Sequence, residues 1–545
     1  MIRFTRRSHH RSSHAHVATP RAARRLGIPR IHPHRVRGHG RGQFSRVLRR
    51  GPAIVLRTDA ASHGLHPSRN PRLRVRLRID VVLPLVLLLL SLIQNLGQVD
   101  VSPVHRDEAR WIARAHFLEQ AFDPFSATWN DFYLTSTQPP FGSYVMGLGL
   151  MLQGRDLTTN TIWDFNFSQE WNEQTGAMPE AGDLNAGRRM NALLGALITL
   201  TVYFIGRRLS NRVGAAIGAL FIALHPLQIL LASQALSDIT LTLLLALLFL
   251  AGIRLPRYPT WTNAIIVSAL IGMGGSAKLA PLLLSLPLAG LGVFLLARSL
   301  FARFTESPDK DRTLGFRLLP IPIMSFIFFV ASYPYLWVDP IRRSYKMFSC
   351  RADEMQSQGT IWLGLAVASP LDALARIGIR LGETSTMSGR LAAAFLHLIG
   401  IDGHAIPSGH DFLPAIAGIV ILGALVIKQG LRSKYAVISL LMVSEIGAIA
   451  MGMKADFNRY HLPIVLIMGI CIGVAASSLW SLLAKFNGWR LFAMLPGMHV
   501  SDQMAKPRPI RTPKIVDTGR ELRQPPSRRY LPGNQERQSA APGTD

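Results

Sequence analysis

The chain has 545 residues, 49% of them apolar, and a formal net charge of +28, with a mean hydropathy of +0.23. A soluble globular chain seldom combines these values; long apolar runs joined by basic connections and tails do, and membrane helices need about 20 apolar residues each. With only two cysteines, Cys350 and Cys471, a disulfide framework is excluded.

The first 78 residues are rich in Arg and His and are expected to form a basic, disordered cytoplasmic tail. They lead straight into an apolar run, so the charge reads as attraction to anionic lipid rather than as a nucleic-acid arm. The irregular His spacing lacks paired carboxylates and gives little reason for a metal site. No ordinary signal peptide starts at Met1, and the run from Val81 is expected to act as an uncleaved signal-anchor. Span one covers about Ile79–Leu96 and leaves the cytoplasm, because PRLRVRLR precedes it.

A mixed-polarity first outer loop follows, 97–186. Its one apolar stretch, Phe141–Leu152, is too short to cross comfortably and is expected to be interfacial or re-entrant. Span two, Met190–Ile205, returns to the basic loop GRRLSNR. Span three, Val213–Leu231, leads out to the polar turn SQALSD. Span four, Ile239–Ile253, comes back to RLPR. Spans five, Ala264–Met273, and six, Leu279–Ala297, form a hairpin around GGSAK that puts Lys278 outside. After a basic loop, span seven, Leu318–Trp337, opens a second outer segment, 338–410. Span eight, Phe412–Ile427, returns to KQGLRSK. Spans nine, Tyr435–Met453, and ten, His461–Leu483, meet outside at KADFNRY, and residues 485–545 form a second disordered cytoplasmic tail. The expectation is an all-α polytopic membrane protein with about ten transmembrane helices (range roughly nine to thirteen), its core spanning 79–484 and its large first outer loop carrying interfacial helices. Every short basic loop then falls inside.

Chemistry-bearing residues fall on the outer ends. Asp107 and Glu108 lie shortly beyond span one; a carboxylate there can take a proton from an acceptor hydroxyl or hold a cation, while the plainer reading is a helix first turn. Asp238 closes the turn before span four, where it could also be an N-cap. Arg188 and Arg189 open span two, Lys278 sits in GGSAK, and Arg459 precedes span ten. One such cation is an interface anchor; several on one face could clasp a phosphate, most naturally that of a lipid. Gln138 precedes two prolines at a helix start. The segment SYPYLWVDP carries interfacial aromatics and Asp339, a possible polar contact. An acidic, aromatic stretch, 156–183, could shape acceptor choice or meet a partner, or be a surface loop.

In this order the motifs resemble the polytopic glycosyltransferases that use lipid-phosphate sugars, namely the protein O-mannosyltransferases and the bacterial aminoarabinose transferases of lipid A. The DE pair, QPPFGSYVMGLG, RRMNALLGALITLTVYFIGRRL, GAAIGALFIALHPLQILLASQALSD and NRYHLPIVLIMG carry the resemblance, over about Val81 to Leu483. It implies a membrane-embedded enzyme of the cell envelope that performs inverting, extracytoplasmic transfer of a hexosyl or pentosyl residue from a polyprenyl phosphate to a lipid, glycan or protein. By resemblance Asp107 is the base, Glu108 shapes the acceptor site, Asp238 is the second acidic position, and Arg188 or Arg189 the expected arginine. Lys278 and Arg459 are phosphate candidates from position alone, and Tyr460 belongs to the Arg-Tyr span. Gln138 departs from the His or Lys that relatives carry, and the soluble module of protein mannosyltransferases is absent, which weakens protein as acceptor. Metal use is open: the adjacent carboxylates could hold a divalent metal, but no His cluster supports them. A transporter or flippase, or a non-catalytic scaffold, is the alternative; a transporter would place its charges nearer mid-membrane, within paired repeats.

Overall fold

The computed structural model describes residues 71–130, 133–301, 308–383 and 411–484. Both expected tails, apart from 71–78, lie outside the described residues. Helix α1, Pro71–Gly97, begins eight residues ahead of the expected span. All regular structure among the described residues is helical, apart from one isolated bridge between Ala366 and Ala455.

Seven segments are long and apolar enough to cross a membrane: Ile79–Gly97, Ala181–Leu209, Ala280–Leu300, Pro308–Ala331, Phe412–Gln429, Lys434–Gly452 and Asn458–Leu483. The expected span three is a broken one. Helix α8, Arg212–Leu224, and helix α9, Pro226–Ala232, meet at a 58° bend. His225 caps α9 through its side chain, and Pro226 in the first turn starts the new helix axis. Expected spans four and five are the shorter helices α10, Ser237–Gly252, and α11, Trp261–Ala277. Every expected span therefore has a helical counterpart, seven of full length.

The first outer loop holds α2 (Arg106–Ala113), α3 (Phe117–Gln120), α4 (Tyr133–Thr137), α5 (Phe141–Leu152) and α6 (Gln169–Gln174) before α7 (Ala181–Leu209). Helix α12 (Ser285–Leu300), α13 (Pro308–Leu318) and α14 (Ile321–Ala331) follow α11. The second outer segment carries α15 (Pro340–Ile361) and α16 (Pro370–Glu383), and three long helices close the chain: α17 (Phe412–Gln429), α18 (Lys434–Gly452) and α19 (Leu462–Leu483).

Helix α19 is the most enclosed span, while α1 and α17 are the least. Its closest partner is α8, and glycines bring them together. Gly214 and Gly218 on α8 face Gly469 and Gly473 on α19, and a Cβ on Gly214 or Gly218 would overlap the backbone carbonyl of Gly473 or Gly469. Two small-xxx-small faces thus pack backbone to backbone, a route to helix association that needs no hydrophobic driving force.

The two ends of the bundle differ in charge. At one end Asp80 pairs with Arg207 and Arg212, and Asp311 holds Arg298 and Arg432. Lys434 and Tyr435 bond the carbonyls of Arg208 and Leu209 there. On α7, Arg188 lies twenty residues before Arg208, about 30 Å away along a helix rising 1.5 Å per residue. The basic connections therefore gather at the end opposite the outer-loop residues.

Candidate active site

Helix α2 opens with a reciprocal cap. His105 is the N-cap, its Nδ1 accepts from the Asp107 N–H, and Glu108 accepts from the His105 N–H at 2.8 Å. This fixes Asp107 and Glu108 in one turn but turns them to different partners.

Glu108 is wholly buried, and its oxygens take four hydrogen bonds: from Arg188 Nε and Nη2, each at 2.8 Å, from the Ala235 N–H at 2.7 Å and from the His105 N–H. Arg188 spends its remaining N–H groups on the carbonyls of Val99, Ser102 and Pro103. A guanidinium has five N–H donors, and all five are engaged. Arg188, expected to clasp a phosphate, and Glu108, expected to shape the acceptor site, here bind each other, and the pair locks the end of α1, the start of α2, α7 and the α9–α10 turn together. Ser102 and Ser233 add a hydroxyl contact of 2.6 Å to the same knot.

Asp107 instead meets Arg459, in direct contact through Nη1, and both side chains remain about a fifth exposed, at 18% and 20%. Asp238 meets Lys278, with Nζ 2.5 Å from Oδ1. Leu236, not Asp238, is the N-cap of α10, so the capping role considered from sequence gives way to this ion pair in the first turn. The Tyr460 ring lies between the two pairs: Lys278 Nζ is 5.4 Å and Arg459 Cζ 5.7 Å from its centroid. Lys278 is the C-cap of α11, and Arg459 and Tyr460 form a 3-10 turn ahead of α19. Four separate segments thus bring two carboxylates, two cations and an aromatic ring into one chain of contacts. The Arg459 Nε is buried and has no hydrogen-bond partner.

The remaining candidates lie elsewhere. Arg189 is exposed and bonds Gln153 Oε1 at 3.1 Å. Gln138 accepts from Arg114 Nη1 at 3.0 Å, and Asp339 caps α15 by accepting from the Arg342 N–H. These side chains have structural partners, because helix ends in a packed bundle need their polar groups satisfied. No group of three metal-ligating side chains occurs among the described residues; the adjacent carboxylates that could have shared an ion diverge to Arg459 and Arg188.

Two residues of the helix that carries Asp107 and its caps went unnoticed in the sequence. His105 lies in the field of Arg459, Glu108 and Asp238, and burial, then Arg459, holds its imidazole below the usual range. Its signal was the capping spacing to Glu108, obscured because histidine is an unusual N-cap. Arg114 is fully buried across the QPP turn, bonding the carbonyls of Gln138 and Pro139, and burial pulls it down to about 10. It is the C-cap of the helix that carries Asp107, seven residues further along the chain.

A charged cluster at one mouth of a multi-pass helical bundle defines the class: a membrane protein with polar chemistry at the end of its spans. Residues 182–310 match the family model described as dolichyl-phosphate-mannose-protein mannosyltransferase. The matched segment lies within the stretch whose motifs resemble that family. No curated protein matches the chain. Among solved structures, the archaeal oligosaccharyltransferase AglB from Archaeoglobus fulgidus, in complex with an inhibitory peptide and a dolichol-phosphate, is similar at 14% identity and a TM-score of 0.44, over 76% of this chain and 52% of that one. ArnT from Cupriavidus metallidurans, bound to undecaprenyl phosphate, is similar at 16% identity and a TM-score of 0.41, over 73% of this chain and 62% of that one. The chain thus spans about half to three-fifths of the length of these structures.

Proposed function

We propose that the protein transfers a glycosyl residue from a polyprenyl-phosphate sugar to an acceptor hydroxyl on the non-cytoplasmic face of the plasma membrane, with both termini cytoplasmic. The observation that carries this reading is the pairing of Asp107 with Arg459 and of Asp238 with Lys278 around Tyr460. The basic loops at the opposite end support the orientation, since such loops stay in the cytoplasm.

The two carboxylates neutralise the two cations. An arriving donor phosphate competes for the cations, and as Arg459 turns toward it the unpartnered Nε adds a further hydrogen bond. Drawing Arg459 toward phosphate releases Asp107, which then accepts the acceptor's hydroxyl proton. The acceptor oxygen bonds the anomeric carbon from the opposite side as the carbon–oxygen bond to phosphate breaks. Polyprenyl phosphate leaves already ionised, so it needs cationic stabilisation rather than a strong acid. Lys278 and Arg459 supply that stabilisation, and Asp238 holds Lys278 in place. The acceptor is a lipid, glycan or protein.

Mass spectrometry of lipids and glycoconjugates from cells with and without the gene tests the reading. The expected result is loss of a single hexose or pentose adduct, restored by the wild type and not by Asp107→Asn. An unchanged glycan inventory with an altered solute or lipid distribution would overturn it in favour of transport.

A further inference from the structure

Residues 156–183 are not absorbed by this mechanism, yet they are built against the helix that carries Asp107. Thr159 Oγ1 donates to the Ile112 carbonyl, and Asn160 Nδ2 to the Ala109 carbonyl at 3.0 Å. Arg110 Nε donates to the Trp163 carbonyl at 2.8 Å, and its guanidinium lies 4.2 Å from the Phe165 ring centroid. The far side of the segment is knitted by Asn172, which is fully buried and bonds the Asp164 N–H and the carbonyls of Asp164 and Ser168. This is a rigid element, and Trp163 is its anchor in the core.

Three aromatic rings of the same element face outward. Phe165, Phe167 and Trp171 are 44%, 50% and 40% exposed. Phe167 and Trp171 are stacked, with centroids 4.1 Å apart and planes 22° from parallel. Rings held open by a preorganised loop mark an interaction site more than a packing remnant. Their rim is acidic. Asp164 and Glu173 accept only from neighbouring Asn166 and Gln169 side chains or backbone, and Glu170 is exposed within electrostatic reach of Arg106, beside Asp107. Such a rim opposes insertion into an anionic lipid surface. It suits a ligand with an apolar face and many hydroxyl donors, since carboxylates only accept.

We infer that Phe165, Phe167 and Trp171 form a platform for the carbohydrate part of the acceptor, with sugar rings stacked on the aromatics and their hydroxyls donating to Asp164, Glu170 and Glu173. Only the word acceptor rests on the function proposed above; sugar binding does not. The platform sets which glycan reaches Asp107.

The test is saturation-transfer NMR on the full-length protein in phosphatidylcholine nanodiscs, with methyl mannopyranoside, methyl glucopyranoside and methyl arabinofuranoside as probes. At least one sugar should take saturation from the protein, Trp171→Ala should weaken it about five- to tenfold, and Trp171→Phe should keep it. Absence of saturation from all three, or equal saturation with Trp171→Ala, would overturn the platform. So would quenching of Trp171 by a brominated lipid, which would make it a membrane anchor. Sugar binding through Trp171 in a protein that makes no glycan adduct would sustain the platform and sink the enzyme. An adduct formed equally well by Trp171→Ala would do the reverse.

Discussion

Adjacent residues on α2 do opposite work, and the difference is a matter of which side chains have valences left. Asp107 sits at a partly exposed mouth with one cation, so Asp107→Asn should lower transfer about a hundred- to ten-thousand-fold while leaving the fold intact. Glu108 is saturated by four donors, so Glu108→Gln should instead cost about 3–5 kcal/mol, because it strands the buried Arg188. Thermal unfolding in detergent, read beside donor turnover, separates the two. A pH effect follows from His105. Its folded pKa lies below the ordinary 6.5 because desolvation, and then the Arg459 cation, disfavour the imidazolium, a small effect that solvent screens since the side chain is 44% exposed. The unfolded chain therefore binds more protons as the pH drops through that value. His105 contributes stability that is fully present above pH 6.5 and is lost as the pH falls toward the folded pKa. His105→Asn should flatten this part of the melting-temperature profile.

At the scale of elements, the close approach of α8 and α19 holds the bundle, and α19 continues from the turn that carries Arg459. Gly218→Leu should force the helices apart and cost about 1–3 kcal/mol, seen as a lower melting temperature in detergent. The second outer segment is tied to that same turn. Asp456 accepts from Arg380 of α16 at 2.9 Å and meets His461 at 2.8 Å, and the Val367 N–H bonds the Lys454 carbonyl. Arg380→Ala should raise the KM for donor, together with faster hydrogen exchange over 454–461, since the Arg459 turn would lose its strut.

For the molecule as a whole, orientation is the property to test. Single cysteines placed at Ser210 and at the exposed Ala127 of the first outer loop, in a Cys350→Ser, Cys471→Ser background, should differ in labelling by an impermeant maleimide on intact cells. Ala127→Cys should react and Ser210→Cys should not. The reverse pattern would put the Asp107 cluster inside and remove the proposed donor leaflet.

Sequence alone determined the number and order of the apolar segments, because a helix in lipid must satisfy its own backbone and so writes its length into composition. It also placed Asp107, Asp238, Lys278 and Arg459 at span ends, where charge is affordable. Pairing was not legible. Glu108 and Arg188 lie eighty positions apart, and nothing local distinguishes a cation sealed by five acceptors from one with a donor to spare. Only the tertiary structure decided that Arg188 is saturated while Arg459 keeps an unpartnered Nε, because hydrogen-bond saturation is a property of neighbours that packing brings together.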